Sequence, residues 1–196
     1  MKTLPKLTAG AGWKIFRGMT GSAWSCGKGR FTAGMAAEEP GALLCAVEKV
    51  PDAMVVAMER VRDAGLTNVR FLDRDAVLLP EFFAPGEVSR IYINFPDPWP
   101  KKKQFKRRLT APGFQKLYFD LLPPGGEVWL KTDNVPLYEW SLEQFQACGW
   151  TLKEVTRDLH EHGIQGVMTD YEAKFHEQGV KINRLVAVRG EVWTCG

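Results

Sequence analysis

The 196-residue sequence lacks an apolar run long enough to span a bilayer, and no secretory signal is evident. It also lacks internal repeats and low-complexity tracts, which excludes solenoids and disordered arrays. Neither sign of charge is in large excess, because 26 Lys and Arg face 23 Asp and Glu for a net charge of +3. General coating of nucleic acid is therefore not predicted. We expect one cytoplasmic globular domain.

Groups that bind metals or form disulfides are few and scattered. The four cysteines contain no C-x-x-C pair, so we expect reduced thiols and no metal site. His160 and His162 are two residues apart, a spacing that does not place them on one face of a helix. We expect both to lie on the surface.

Short apolar runs alternate with helical segments along the chain. Residues 42–47 and 69–72 are typical of strands buried in a parallel sheet, and residues 53–64 have a helical apolar face ended by Gly65. The alternation predicts a doubly wound α/β domain with a mostly parallel sheet. Further strands are predicted at 90–94, 127–131, 151–156 and 182–188, and further helices at 112–122, at 137–147 and through Phe175. A short helix is also predicted after Gly29, with Phe31 and Met35 on its buried side.

Acidic residues follow several of the predicted strands. Glu48, Asp75, Asp97 and Asp133 all come at strand ends, and doubly wound folds bind ligands at this edge of the sheet. Glu48 could accept hydrogen bonds from two ribose hydroxyls, and Asp75 could accept one from an adenine amine. For Glu48 an ordinary solvated strand-end acid is an equal alternative.

The stretch from Ile91 to Leu109 contains the most unusual sequence. Three X-Pro pairs, Phe95-Pro96, Asp97-Pro98 and Trp99-Pro100, follow the predicted strand. Proline disfavours helical backbone in the residue before it, so we expect a stiff, extended segment that holds Asp97 among aromatic rings.

A basic arm follows at once, with six cations in eight residues and no acid among them. Taken alone, such a run is more often a solvated face or a nuclear address. A rigid carboxylate beside it instead predicts a site that binds a nucleobase and the phosphates attached to it. The predicted contacts to a nucleic-acid backbone are Lys102, Lys103, Lys106, Arg107 and Arg108.

The run FPDPWPKKKQFKRRL closely resembles the signature of the bacterial tRNA (guanine-N7)-methyltransferases, and the similarity extends from about Cys26 to about Val188. The resemblance implies a class I methyltransferase fold with an antiparallel last strand. It also implies S-adenosylmethionine as cofactor and 7-methylguanosine in the tRNA variable loop as product. A small-molecule methyltransferase is disfavoured by the basic arm, and the oligomeric state stays open between monomer and homodimer.

The resemblance also assigns roles to residues. Gly27 and Gly29 would form the cofactor turn, with Glu48 on the ribose and Asp75 on the adenine. Asp97 would sit at the reactive end of the cofactor and contact the guanine. The implied substrate contacts are Lys101, Asp133, Thr169, Asp170, Tyr171 and Glu172.

The sequence departs from the family pattern before residue 26. Family members have an apolar strand with an acid and then a glycine, where this chain has Ala23-Trp24-Ser25. We therefore divide the chain into an atypical segment, 1–25, and a methyltransferase domain, 26–196, and expect a frameshifted or truncated start. A divergent but functional start is the alternative. The expected consequences are a short or irregular first strand and a weak cofactor site, and a non-catalytic tRNA-binding protein is the alternative function.

Overall fold

The computed structural model describes the backbone of residues 13–17 and both backbone and side chains of residues 29–195. Within these ranges the strands form one sheet of seven, in the order β3-β2-β1-β4-β5-β7-β6. The strands are β1 (Trp13–Arg17), β2 (Leu43–Val47), β3 (Val69–Leu72), β4 (Val88–Asn94), β5 (Glu127–Thr132), β6 (Thr151–Thr156) and β7 (Asn183–Val188). The α-helices are α1 (Arg30–Glu38), α2 (Pro51–Asp63), α3 (Pro112–Leu121), α4 (Val135–Ala147) and α5 (Asp170–Glu177).

The sheet confirms the predicted fold class. Strands β1 to β5 run parallel, whereas β7 is antiparallel to both of its neighbours, β5 and β6. Strands at the centre of such a sheet have helices on both faces, which explains why β2 is apolar throughout and β4 carries the apolar run Ile91–Ile93. The edge strand β6 instead leaves four of its six residues exposed.

Apolar packing covers both faces of the sheet. On one face Ile91, Ile93, Val128 and Leu130 pack in a large cluster of residues that includes Tyr138. The opposite face carries a smaller cluster in which Phe31, at the start of α1, meets Tyr92 edge to face with ring centroids 5.3 Å apart. This packing fixes the strand ends from which the candidate site is built.

The first strand lies in a part of the chain with little apolar alternation. β1 pairs in parallel with β2 over its five residues and with β4 on its other side. Its register against β4 shifts between Trp13 and Lys14, in keeping with an irregular first strand. The substituted motif at residues 23–25, the domain boundary at residue 26 and Gly27 lie outside the described residues.

The cysteines differ from expectation. Cys148 and Cys195 form a disulfide, so the prediction of reduced thiols is wrong for this pair. Trp193 packs beside it on Phe119, with ring centroids 5.4 Å apart, and thereby holds the C-terminal residues on the core. Cys45 is a buried free thiol, and burial raises its pKa to about 12.

Two short 3₁₀ helices, Ala76–Glu81 and Lys102–Arg107, were not predicted. No helix in the described ranges is long and apolar enough to cross a membrane.

Candidate active site

The carboxyl ends of β2 and β3 present two acids at one edge of the sheet. Glu48 follows β2 and is 4% exposed, and its Oε1 accepts hydrogen bonds from the backbone N–H groups of Lys49 and Val50, each at 2.8 Å. Asp75, beyond β3, caps the following 3₁₀ helix by accepting from the N–H of Val77 at 3.3 Å. Lys49 Nζ lies 3.4 Å from Asp75 Oδ2 and links the two acidic turns. The two predicted acids therefore lie near each other at the carboxyl ends of neighbouring strands.

Gly29 precedes α1 at the same end of the sheet. Its φ of +79° lies in the left-handed region, and a Cβ there would come within 2.7 Å of the Ala57 Cα on α2. Any side chain at this position would strain the backbone and collide with α2. Glycine therefore keeps the turn close to α2, and its contact with the cofactor stays a prediction.

The end of β4 carries a buried amide and a strained phenylalanine. Asn94 is 6% exposed, and its Oδ1 has no hydrogen-bond partner among the described residues. Phe95 follows with a φ of +50°, and its N–H donates to the Lys131 carbonyl at 2.8 Å. Trp99, later in the loop, also has a positive φ, +39°. The prediction of an extended segment is therefore wrong for these two residues, since side-chain and backbone contacts override the local preference.

The half-buried Asp97 lies between Pro96 and Pro98, two residues beyond Phe95. The Phe95 ring packs on Tyr171, with centroids 5.4 Å apart. Burial raises the pKa of Tyr171, and the charge of nearby Asp133 raises that pKa further. The pKa of Asp133 is itself raised by burial, although its backbone N–H opposes the rise. The structure thus brings Asp133 and Tyr171 to the loop that carries Asp97.

The predicted substrate segment opens α5 with a capping box. Thr169 Oγ1 accepts from the N–H of Glu172 at 2.9 Å, and Glu172 Oε2 accepts from the N–H of Thr169 at 3.1 Å. Glu172 is fully buried and pairs with Lys131 Nζ at 3.0 Å. The side chains of Thr169 and Glu172 are therefore occupied in holding the segment, and their contacts with substrate stay a prediction. Asp170 pairs with Arg60 on α2 at 3.2 Å, and Tyr171 is partly exposed.

His160 joins the same network. Its Nδ1 accepts from the N–H of Gln165 at 3.2 Å, which leaves Nε2–H to donate to Glu172 Oε1 at 3.0 Å. His160 is only 9% exposed, so the expectation of a surface residue is wrong for it, whereas His162 is exposed. The error came from its local spacing, which does not reveal a partner twelve residues later.

The basic arm is divided between solvent and interior. Lys101, Lys102, Lys103, Lys106 and Arg107 are exposed, as the prediction of phosphate contacts requires. Arg108 is 3% exposed and donates to the carbonyls of Pro98 and Trp99. Its burial sets Arg108 apart from the other cations of the arm, and its contact with tRNA stays a prediction.

Sequence reasoning missed Asn94, Lys131 and Arg60. Asn94 and Lys131 are cross-strand partners near the carboxyl ends of β4 and β5, so their position along predicted strands was a usable signal. Arg60 gave no signal, because its partner Asp170 is 110 residues away. Across residues 29–195, no group of three or more His, Cys, Asp and Glu side chains is placed to hold a metal ion.

The arrangement combines a fixed acid on β2, an orphaned amide on β4 and a half-buried carboxylate beside an exposed cationic arm. It can orient a small polar ligand along the sheet edge and a base next to Asp97.

Comparison with known proteins agrees with this geometry. Residues 24–185 match the family model Methyltransf_4, described as "Putative methyltransferase". The chain is 45% identical over 162 residues to a tRNA (guanine-N(7)-)-methyltransferase of Streptococcus suis, covering 82% of this chain and 76% of the relative. A protein of the same name from Geobacillus kaustophilus is 45% identical over 164 residues, covering 83% and 76%.

Solved structures share the fold. The 16S rRNA methyltransferase KamB superimposes with a TM-score of 0.66 at 17% identity, covering 91% of this chain and 88% of that one. TrmN from Thermus thermophilus superimposes with a TM-score of 0.61 at 25% identity. That alignment covers 91% of this chain but only 44% of TrmN.

Proposed function

This chain belongs to the tRNA (guanine-N7)-methyltransferase family, and we propose that it transfers a methyl group from S-adenosylmethionine to N7 of a guanosine in the tRNA variable loop. The observation that supports this most strongly is the half-buried Asp97, in a loop whose Phe95 packs on Tyr171 and which continues directly into an exposed cationic arm. A tRNA substrate also agrees with the predicted cytoplasmic location.

The residues at the sheet edge fit the cofactor. Glu48 presents a buried carboxylate already oriented by two backbone N–H groups, which suits a ribose, and Asp75 follows the neighbouring strand, on the adenine side. Gly29 lets the turn before α1 pack closely on α2. The orphaned Oδ1 of Asn94 is an acceptor that a bound molecule can use. When bound, S-adenosylmethionine supplies a methyl group activated by its sulfonium.

Methyl transfer to guanine N7 requires the protein mainly to position the base and the methyl donor. N7 carries a lone pair and no proton, so no base is needed to create the nucleophile. The guanine must be held in line with the methyl group, which is a matter of proximity and orientation. Asp97 can accept from the base N–H groups, and its charge can offset the positive charge that develops on the ring. Tyr171 and Phe95 offer aromatic surface beside that position.

The exposed arm supports tRNA binding through the phosphate backbone. Replacing Lys102, Lys103 and Lys106 by alanine should weaken tRNA binding and reduce its salt dependence. If each lysine contacts one phosphate, the slope of log affinity against log salt falls by about 2.7, so a fourfold rise in salt should weaken the wild type roughly fortyfold more than the variant. Lys153→Ala, on edge strand β6, is the matched control. An unchanged slope in the triple variant would show that these lysines do not contact RNA.

The proposed reaction is tested by incubating unmodified tRNA with the protein and S-adenosylmethionine, followed by mass analysis of the nucleosides. We expect 7-methylguanosine from the wild type and about a hundredfold lower turnover from Asp97→Ala, the scale for loss of one preorganised electrostatic group. Asp63→Ala, an exposed acid at the end of α2, should behave as wild type. Equal rates for wild type and Asp97→Ala would remove Asp97 from the site.

A further inference from the structure

Arg108 differs from the other cations of the arm in its surroundings. It is 3% exposed, whereas Lys106 and Arg107 are exposed. Its guanidinium carbon lies 3.7 Å from the ring centroid of Phe105 and 4.5 Å from that of Trp140 on α4. The guanidinium thus contacts two aromatic rings that themselves meet edge to face, with centroids 5.6 Å apart, and such surroundings suit its planar, weakly hydrated charge.

The guanidinium is directed at the loop that carries Asp97. Nε donates to the Pro98 carbonyl at 2.8 Å, and Nη2 donates to the Trp99 carbonyl at 3.3 Å. Burial lowers the pKa of Arg108, and no neighbouring acid contributes to that shift. A buried cation with aromatic and carbonyl neighbours is well suited to fixing backbone oxygens.

The bonded loop is strained at both ends. Phe95 and Trp99 have φ of +50° and +39°, although each precedes a proline. Such conformations persist only where the surroundings hold them, and they cluster at functional sites. At the Phe95 end, the Lys131 carbonyl accepts the Phe95 N–H. At the Trp99 end, Arg108 makes the corresponding contact, and Asp97 lies between the two fixed points.

We propose that Arg108 is a positioning residue: it fixes the Pro98–Trp99 end of the loop and so places the Asp97 carboxylate for the guanine, an inference that rests on the proposed function. Arg108 acts through Asp97 and does not touch RNA. The exposed lysines beside it serve tRNA affinity.

The first test compares Arg108→Lys with Lys106→Ala. Lysine keeps the charge but cannot donate to two carbonyls from a planar fork. Arg108→Lys should lower kcat by about tenfold to a hundredfold, because small misplacements of a reacting group are costly. Its KM for tRNA and its salt dependence should match the wild type. Lys106→Ala should show the opposite effect, with a raised KM for tRNA and an unchanged kcat.

The second test does not depend on activity. Hydrogen exchange of the peptide covering residues 94–101 should become faster in Arg108→Lys and stay at the wild-type rate in Lys106→Ala. Thermal melting of each variant checks that it folds. If Arg108→Lys does not fold, Trp140→Leu removes one wall of the guanidinium site and should change kcat and exchange in the same direction.

The outcomes separate this inference from the proposed function. A wild-type kcat in Arg108→Lys, with a raised KM for tRNA, would make Arg108 a phosphate contact and overturn the inference. Wild-type exchange rates in the variant would overturn it as well. If the wild type methylates no tRNA but the variant exchanges faster, the proposed function fails while the restraint on the loop by Arg108 stands.

Discussion

Replacing Glu172 by glutamine should destabilise the protein strongly. The Glu172 carboxylate is fully buried and lies 3.0 Å and 3.1 Å from Lys131 Nζ, which is itself buried. His160 Nε2 contacts the same carboxylate at 3.0 Å. Glutamine can still accept the Thr169 N–H in the capping box, but its amide nitrogen then faces the His160 N–H, so the substitution removes the charge and one acceptor. What remains is a buried ammonium without its counterion.

The expected loss in the free energy of unfolding is about 3–5 kcal/mol, the usual cost of removing one partner of a buried ion pair. For a chain of this size, that corresponds to a fall in melting temperature of roughly 6–20 °C. Denaturant titration and thermal melting measure both quantities. Glu177→Gln, at the exposed end of α5, is the control and should change neither.

The pH dependence gives a second readout of the same pair. Burial is the main influence on the pKa of Lys131 and lowers it, while Glu172 opposes this effect. Removing Glu172 should therefore lower the folded-state pKa of Lys131 further. Above that pKa the folded state has lost the proton that the unfolded state keeps, so stability rises with pH up to the ordinary lysine value. The deficit of Glu172→Gln should accordingly narrow as pH is raised from neutral towards about 10.

A double variant identifies the cause. Lys131→Met combined with Glu172→Gln removes both charges and should recover much of the stability lost in Glu172→Gln alone. A wild-type melting temperature in Glu172→Gln would refute the reasoning, because it would mean that the pair contributes nothing in the folded state.

The remaining predictions concern the cysteines and the start of the chain. The bond between Cys148 and Cys195 closes a loop of 47 residues, so its reduction should cost about 4 kcal/mol in unfolding experiments with and without reductant; equal stabilities would contradict this. The pKa of Cys45 is raised in the folded state, so its contribution to stability is complete below the pKa of an ordinary thiol and is lost as pH rises towards about 12. Cys45→Ala should therefore flatten the decline in stability at alkaline pH. Introducing Ala23→Glu and Ser25→Gly should tighten cofactor binding by roughly 1–3 kcal/mol in calorimetry, if a charged hydrogen bond is restored; unchanged binding would mean that another residue fills the role.

The sequence alone determined the layered α/β plan and the edge at which the site lies. Alternating buried strands and amphipathic helices leave few other folds, and parallel strands bring their carboxyl ends to one edge. The fully described strands from β2 onward and all but the shortest helices were therefore predicted, with small differences at their ends. Glu48 and Asp97 could be proposed as site residues for the same reason: strand-end position is a local property.

Only the tertiary structure decided which cations of the basic arm face solvent. Arg107 and Arg108 are alike in sequence, yet only Arg108 is buried, because Trp140 on α4 packs over it. The roles of His160 and Glu172 likewise depend on Lys131, a partner on a different element of the fold. Contacts between residues far apart in the chain leave no periodic trace in the sequence. Which polar side chains become buried is therefore fixed only when the helices and strands pack. The same packing decides which of them contact a ligand and which hold other residues in place.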